Sequence, residues 1–275
     1  MQRPPDVVIS GFRLGPILGR GGFATVYLAE QPALGRRVAI KIIDTPLTSD
    51  DQRQRFQREA RAAGSLSSHP NIVATYDSGI TTNGHPYLVM EHMPRGTLAD
   101  LITTNGPLPW ATAISHTLKI AGALHTAHQA GILHRDIKPE NILLDATGNP
   151  QLSDFGIASI TGGFHTMSTQ VSLSLTHAPP EIISGNRATP ESDTYSLAST
   201  LYTLLTGQPP FTRHPHEDTL IPLIARITTN PPPPITNQTI PPELTTTIET
   251  ALAKHPHQRP TTINFANQLH TTTTN

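Results

Sequence analysis

The beginning of the chain alternates apolar and polar residues in short runs separated by glycine. Phe12–Leu18 and Phe23–Ala29 alternate on either side of a glycine-rich turn, which predicts a β-hairpin, and Arg37–Ile43 predicts a third strand. Two more strands are predicted near Ile72–Tyr76 and Tyr87–Glu91. These runs together predict a small antiparallel sheet.

One helix is predicted between the third and fourth strands. Ser49 can cap its N-terminus, and Asp50 and Asp51 place negative charge in its first turn, where the helix dipole favours it. Gly64 is predicted to end it.

After Gly96 the apolar spacing becomes helical. Ala111–Ala130 and Ser192–Leu205 are predicted helices, so the second part of the chain is expected to be mostly α-helical. Pro231–Pro234 predict a rigid, extended connector. The threonine-rich end, Thr271–Asn275, predicts a disordered tail or the start of a linker, which leaves open a longer parent protein.

Composition narrows the class of protein. The 275 residues can bury one large core or two lobes. With 19 basic and 20 acidic residues, the chain is not expected to bind nucleic acid or a membrane through a basic surface. The absence of cysteine excludes disulfides and suits a cytoplasmic location, and neither a signal peptide nor an apolar run long enough to span a membrane is predicted.

Two short motifs carry the chemistry. Residues 132–144 read Ile-Leu-His-Arg-Asp-Ile-Lys-Pro-Glu-Asn-Ile-Leu-Leu, which places Asp136, Lys138 and Asn141 on one short loop. Asp154 follows in Asp-Phe-Gly. A carboxylate, an ammonium and an amide on one loop, with a second carboxylate nearby, suit metal-bound phosphate, so the sequence predicts phosphoryl transfer.

From Phe12 to Leu269 the chain resembles the eukaryotic-type (Hanks-type) serine/threonine protein kinases, including those of bacteria. The resemblance implies an α+β, two-lobed kinase fold: an N-terminal extension over 1–11, a kinase domain over 12–270 and a tail over 271–275. The N-lobe would span about 12–93, with a small antiparallel sheet and one regulatory helix, and the mainly α-helical C-lobe about 94–270.

Gly19–Val26 forms a glycine-rich loop whose backbone N–H groups can approach phosphates closely. A dinucleotide-binding turn is the alternative, but it requires a helix immediately afterwards, whereas Phe23–Ala29 alternates as a strand. The resemblance implies that ATP is held by Leu18, Gly19, Arg20, Gly21, Gly22, Val26, Ala39, Lys41, Glu91, Met93 and Leu143, with Val26 and Ala39 above the adenine, Leu143 below it and the Glu91–Met93 hinge beside it. Val26, Ala39 and Leu143 are equally well explained as ordinary core residues.

Lys41 lies in the apolar run Val38–Lys41, where a buried ammonium needs anionic partners. The resemblance implies that these partners are the α- and β-phosphates and Glu59 of the predicted helix. It also implies that Asp136 accepts the proton of the substrate hydroxyl, that Lys138 steadies the γ-phosphate, and that Asn141 and Asp154 hold Mg²⁺ or Mn²⁺. Lys138, followed by Pro-Glu-Asn, resembles the serine/threonine branch of the family, which implies serine and threonine hydroxyls of proteins as acceptors. Other copies of the same chain are among the expected protein substrates.

Arg135 precedes the predicted base, which in this family implies an activation segment that docks against it when phosphorylated. The segment runs from Asp154 to Glu181. The autophosphorylation candidates in it are Thr166, Ser168 and Thr169.

The end of this segment departs from the family pattern. His177 replaces the usual tyrosine, Leu173-Ser174 replaces Gly-Thr, and Pro-Pro-Glu replaces Ala-Pro-Glu. Structural roles are still implied for Glu181, which would pair with Arg259, and for Asp193, which would anchor the backbone of the catalytic loop.

Three alternatives stay beside this interpretation. A pseudokinase would bind nucleotide or partners without turnover, although Lys41, Glu59, Asp136, Asn141 and Asp154 are all present. A small-molecule kinase is disfavoured by the context of Lys138. The third alternative is a metal site, which the 14 histidines suggest, with His-Pro-His at 214–216 and at 255–257. No carboxylate or cysteine cluster accompanies either pair of histidines.

Overall fold

The computed structural model of the protein describes residues 8–155, 175–213 and 219–274. Its N-terminal part is a five-stranded antiparallel sheet in the order β1-β2-β3-β5-β4. The strands are β1 (Arg13–Arg20), β2 (Ala24–Gln31), β3 (Arg36–Ile43), β4 (Thr75–Ile80) and β5 (Pro86–Glu91). The predicted antiparallel sheet is confirmed.

The register of the central strands decides which side chains share a face. Val26 of β2 lies opposite Lys41 of β3, Lys41 lies opposite Leu88 of β5, and Ala39 lies opposite Met90. Because alternate residues of a strand point to opposite faces, these five side chains lie on one face of the sheet. The other face is covered by a separate apolar cluster, formed by Ile9, Tyr27, Ala29, Val38, Ile40, Ile42 and Val89.

The helix between β3 and β4, α1, spans Asp50–Ser65. Its predicted cap is confirmed, because Ser49 Oγ accepts a hydrogen bond from Gln52 N at 3.3 Å and Gln52 Oε1 accepts one from Ser49 N at 3.2 Å. This reciprocal pair satisfies two backbone donors at the start of the helix. Phe56 and Ala60 bury one face of α1 in the same cluster as Leu88 and Met90.

The fourth strand begins later than the sequence pattern predicts, at Thr75 instead of Ile72. Ile72 and Val73 pair with the second part of the chain: Val73 N donates to Leu152 O at 3.0 Å, and Leu152 N donates to Asn71 O at 2.9 Å. The first residues of this apolar run therefore pair with the second part of the chain, and the strand of the sheet begins only at Thr75.

The second part of the chain is mainly helical within the described residues, as predicted. It contains the strand pair β6 (Ile142–Leu144) and β7 (Pro150–Leu152). The helices are α2 (Leu98–Asn105), α3 (Trp110–Gln129), α4 (Pro180–Ile183), α5 (Pro190–Thr206), α6 (Leu220–Thr229), α7 (Pro242–Ala251) and α8 (Thr262–Thr274).

α5 is buried along nearly its whole length although it contains many hydroxyl side chains. Some of these donors are satisfied within the helix, since Thr200 Oγ1 donates to Ser196 O and Thr203 Oγ1 donates to Ser199 O. Others bond neighbouring segments, since Ser192 Oγ donates to Glu181 Oε1. A hydroxyl bonded to the preceding turn carries no unsatisfied donor into the core. This makes α5 a rigid central element on which other segments are fixed.

The C-terminal threonines differ from the disordered tail that was predicted, because α8 continues to Thr274. Thr271 Oγ1 donates to Asn267 O at 3.0 Å and Thr272 Oγ1 donates to Gln268 O at 3.2 Å. These bonds to the preceding turn let a threonine-rich segment remain helical at the surface.

Among the residues that the structure describes, no helix has the length and apolar character needed to cross a membrane.

Candidate active site

Asp136, Lys138 and Asn141 lie together on the loop between α3 and β6. Lys138 Nζ lies 2.9 Å from Asp136 Oδ2, and Asn141 Nδ2 donates to the same oxygen at 3.0 Å. Asn141 Nδ2 also donates to the backbone oxygen of Asp136 at 2.6 Å. Because these side-chain contacts use Oδ2, Oδ1 is the oxygen that a hydroxyl group can approach. The Asp136 side chain is 35% exposed, so the carboxylate is reachable from solvent.

The backbone of this loop is held by α5. Asp193, which is buried, accepts hydrogen bonds from His134 N and Arg135 N, each at 2.8 Å, and contacts His128 Nε2 at 2.8 Å. Arg135 has a φ of 71°, an uncommon conformation for a residue other than glycine. The carboxylate that bonds both neighbouring N–H groups holds this strained turn in place, and the turn aims Asp136 out of the core.

Asp154 follows β7 and meets Lys41 of β3. Lys41 Nζ lies 2.8 Å from Asp154 Oδ1, and Asp154 has a φ of 68°. Burial by itself would raise the pKa of Asp154, but the nearby charge of Lys41, with smaller contributions from His134 and Lys138, lowers the pKa below its ordinary value. Asp154 is therefore ionised at neutral pH, as a metal ligand must be.

Glu59 lies on α1, half-buried, on the face that also carries Phe56 and Ala63. Within residues 8–155, Lys41 forms an ion pair with Asp154. Lys41 is thus paired with the carboxylate of the Asp-Phe-Gly motif. The pairing of Lys41 with Glu59 that the family resemblance implies stays a prediction.

The apolar residues expected around adenine come from both parts of the molecule. Val26 and Ala39 lie on the sheet face that carries Lys41. Leu143 of β6 packs against the cluster that contains Met90 and Met93. This places an apolar roof and an apolar floor on the two sides of the segment that joins β5 to α2.

The glycine-rich loop connects β1 to β2. Gly21 N donates to Ala24 O at 2.9 Å and closes the turn. A Cβ atom at Gly19 would meet nothing within 4 Å, and one at Gly21 would meet only Ala24 O at 3.7 Å. The packing of the loop therefore does not require these glycines, and their absence of side chains leaves the backbone open to close approach by an anion.

The hinge between the two parts is fixed by backbone bonds. Glu91 N donates to Ala74 O at 2.9 Å, and Arg95 N donates to Leu144 O at 3.3 Å. Met93, between them, is buried. The expected adenine-binding segment thus has a defined position between the sheet and β6.

Glu181 and Arg259 form a buried bidentate ion pair. Arg259 Nη1 lies 2.7 Å from Glu181 Oε1, and Nη2 lies 2.8 Å from Oε2. Ser192 Oγ donates to Glu181 Oε1 at 2.7 Å. Burial would raise the pKa of Glu181, but hydrogen bonds from Arg259 and Ser192 lower it below its ordinary value. The pair joins α4 to the segment before α8.

Sequence reasoning missed the buried side chains that support these groups. Ser192 bonds Glu181, His128 bonds Asp193, and Ser199 bonds His177, none of which the pattern of apolar positions indicates. A possible signal was the presence of serine at helical spacing in an otherwise apolar run of α5, because a buried hydroxyl needs a partner.

The donor set suits a hard divalent cation. Asn141 uses its Nδ2 atom on Asp136, which leaves its carbonyl oxygen as a possible ligand, and Asp154 supplies a carboxylate. Oxygen ligands of this kind, completed by phosphates and water, are those that Mg²⁺ prefers. No group of three or more histidine, aspartate or glutamate side chains within the described residues could hold a metal by itself.

The remaining predicted features fall partly outside the described residues. The structure does not describe the autophosphorylation candidates Thr166, Ser168 and Thr169. Leu173, Ser174 and the His-Pro-His at 214–216 also lie outside the described residues. In the second His-Pro-His, the rings of His255 and His257 stack with centroids 5.7 Å apart.

Comparison with known proteins places the chain in a family. Residues 12–271 match the model of the protein kinase domain, so the chain belongs to the protein kinase family. Over 259 residues, or 94% of the chain, it is 43% identical to the serine/threonine-protein kinase PknK of Mycobacterium bovis, covering 23% of that protein. It is 36% identical over 274 residues to the serine/threonine-protein kinase PknB of Mycobacterium leprae, covering 42% of it.

A further relative is the serine/threonine-protein kinase PrkC of Bacillus subtilis, 44% identical over 206 residues, with 74% of the chain and 32% of that protein covered. The chain is thus a protein kinase domain, similar to bacterial serine/threonine-protein kinases. It spans less than half the length of these three relatives.

Proposed function

We propose that the chain binds ATP between the sheet and β6, and transfers its γ-phosphoryl group to serine and threonine hydroxyls of proteins. The observation that carries this proposal is the meeting of Asp136, Lys138 and Asn141 on one loop, with the Lys41–Asp154 pair formed beside them. A cleft that held nucleotide without turnover would not need a reachable carboxylate next to an ammonium group.

Each side chain has a distinct part in the transfer. The substrate hydroxyl oxygen forms a bond to the γ-phosphorus as the bond from that phosphorus to the bridging oxygen of ADP breaks, and the hydroxyl proton passes to Asp136. Lys138 lies beside Asp136 and neutralises charge on the phosphoryl group as it moves. Lys41 orients the α- and β-phosphates from the sheet.

Asn141 and Asp154 would hold the divalent cation, for which we propose Mg²⁺, with Mn²⁺ as the alternative ion. When bound, the cation neutralises charge on the β- and γ-phosphates. The chain's own contribution is to keep Asp154 ionised, which its contact with Lys41 ensures.

Transfer of radiolabelled γ-phosphate from ATP to a generic basic protein tests the proposal. We expect label on serine and threonine, loss of label with EDTA, and loss of label in the Asp136→Asn variant. The pseudokinase alternative, which the altered residues ahead of Glu181 favour, predicts stabilisation by Mg-ATP in thermal unfolding without any label.

We further propose that the chain phosphorylates its own activation segment in trans, chiefly at Thr166 and Ser168, with Thr169 as the neighbouring candidate most easily confused with them. The support is Arg135, which is exposed and lies beside the base. A phosphate group carries roughly −2 charge and forms charge-assisted hydrogen bonds with a guanidinium.

Mixing the active chain with an Asp136→Asn chain of different mass distinguishes reaction between two chains from reaction within one chain. Label on the inactive chain within residues 161–176 indicates reaction in trans. The proposed autophosphorylation is contradicted if an active enzyme carries no phosphate within residues 161–176 and the Thr166→Ala/Ser168→Ala variant keeps full activity.

A cytoplasmic location is proposed from the absence of cysteine in the sequence. Fractionation of cells that produce the native protein tests it.

A further inference from the structure

His177 is held by α5 at two points. Its ring Nδ1 lies 2.8 Å from Ser199 Oγ, and its backbone oxygen accepts a hydrogen bond from Ser196 Oγ at 3.0 Å. All three side chains are buried. One residue of the segment ahead of Glu181 is therefore fixed, through both backbone and side chain, by two adjacent turns of the same helix.

The same helix also holds the catalytic loop. Asp193, one turn before Ser196, bonds the backbone N–H groups of His134 and Arg135. Since an α-helix rises about 1.5 Å per residue, Asp193, Ser196 and Ser199 follow one another at intervals of about 4.5 Å. α5 therefore sets the distance between the loop that carries Asp136 and the segment that carries His177.

His177 lies close to the chemistry. Burial first, and then the charge of Lys138, lower the pKa of His177 to about 3, while the charge of Asp136 acts in the opposite direction. The imidazole is therefore neutral at physiological pH and adds no positive charge next to Lys138.

A purely structural role does not account for this polar pair. An apolar pair of the same shape in place of two buried hydrogen-bonded groups is often neutral or stabilising. A hydrogen bond fixes direction and distance more tightly than apolar contact does, and here it fixes them beside the groups that receive the substrate hydroxyl.

We propose that His177 is a positioning residue for the protein substrate: through its bond to Ser199 it sets the place of the segment Leu175–Glu181 relative to Asp136 and Lys138. The proposal rests on the protein kinase function described above. It concerns binding of the acceptor protein and not of ATP, because the residues assigned to ATP lie on the sheet, the hinge and β6.

Steady-state kinetics with myelin basic protein as acceptor test it. In His177→Phe and in Ser199→Ala we expect the KM for the acceptor to rise about fivefold, the size that loss of one hydrogen bond gives. The KM for ATP should stay within about twofold of the wild-type value, since no ATP contact is changed. His177→Asn keeps a polar atom near the position of Nδ1 and should restore the acceptor KM.

Two further variants separate positioning from general loss of structure. Thr203→Ala removes another buried hydroxyl of α5, whose hydrogen bond among the described residues goes to Ser199 O in the same helix, and should leave both KM values unchanged. The double variant His177→Phe/Ser199→Ala should be no worse than the more affected single variant, because both remove the same bond.

The inference is overturned if Ser199→Ala and His177→Phe leave the acceptor KM unchanged, if the KM for ATP rises in parallel, or if the two substitutions are additive. Ser199→Ala decides the matter if His177→Phe fails to fold. A wild-type chain that transfers no phosphate contradicts the proposed function as well, whereas an active wild type with unaffected variants contradicts only the role of His177.

Discussion

Lys41 Nζ lies 2.8 Å from Asp154 Oδ1 and so joins β3 of the N-terminal sheet to the residues that follow β7. The two side chains are only 14% and 23% exposed, which lets each charge compensate the other in a poorly hydrated place. The charge of Lys41 lowers the pKa of Asp154, so the pair holds the carboxylate proposed as a metal ligand in its ionised form, close to the ammonium proposed to bind phosphate.

Replacing Lys41 by Met should therefore damage two functions at once. The substitution removes the phosphate contact and leaves Asp154 without its main compensating charge, so the pKa of Asp154 should rise. We expect transfer to fall by about 10²-fold or more, as misplacement of a substrate does. Mg-ATP should raise the Tm of the wild type by mass action and that of the variant much less.

Lys119→Met, away from the cleft and bonded to Asn149, is the matched control and should keep wild-type transfer. A Lys41→Met protein with the wild-type response to Mg-ATP would show that Lys41 does not contact the nucleotide.

Asp136→Asn should abolish most of the transfer while leaving the fold intact. The amide can still contact Lys138 and Asn141 but cannot take up a proton, and loss of a general base costs about 10²–10⁴ in rate. Asp51→Asn, an exposed carboxylate at the start of α1, is the control. Near wild-type turnover in Asp136→Asn, measured with radiolabelled ATP, would make the assignment of the base wrong.

Glu181→Gln should destabilise the fold more than it affects chemistry. It leaves the Arg259 guanidinium buried beside a neutral amide, and breaking a buried ion pair costs about 3–5 kcal/mol. Urea unfolding measures the loss, with the exposed Glu243→Gln as control. The folded-state pKa of Glu181 is lowered, so its contribution is present above the ordinary pKa of a glutamate and is lost as the pH falls through the folded-state value. A difference between the two proteins that persisted unchanged into strong acid would contradict this account.

His177 should make the fold sensitive to mild acid. Its pKa is lowered to about 3 from 6.5, so below pH 6.5 the unfolded chain binds a proton that the folded protein does not. The free energy of unfolding should therefore decrease by about 1.4 kcal/mol per pH unit as the pH falls below that point.

His177→Asn cannot titrate, so between pH 6 and pH 4 its free energy of unfolding should decrease less steeply with falling pH than that of the wild type. His257→Asn, at an exposed position, should show the wild-type dependence. Equal slopes for wild type and His177→Asn in urea titrations would show that the imidazole is already protonated in the folded protein.

Local patterns predicted much of the fold. The five strands, the cap at Ser49, and helices close to Ala111–Ala130 and Ser192–Leu205 all appear in the structure within a few residues. Short elements were not predicted: β6 and β7 have only three residues each, too few for a period to show. The strand predicted from Ile72 begins at Thr75 because the backbone of Val73 pairs with Leu152, a residue far away in the sequence.

The sequence by itself indicated which chemical groups the proposed site would use, because the resemblance to protein kinases implies a carboxylate, an amide and an ammonium in a fixed order along the chain. Only the tertiary structure decided their partners. Lys41 pairs with Asp154, and side chains of α5 hold the backbone of His134, the ring of His177 and the carboxylate of Glu181. The physical reason is that a hydrogen bond or an ion pair depends on distances of about 3 Å, and those distances are set by the packing of helices and strands that lie far apart in the sequence.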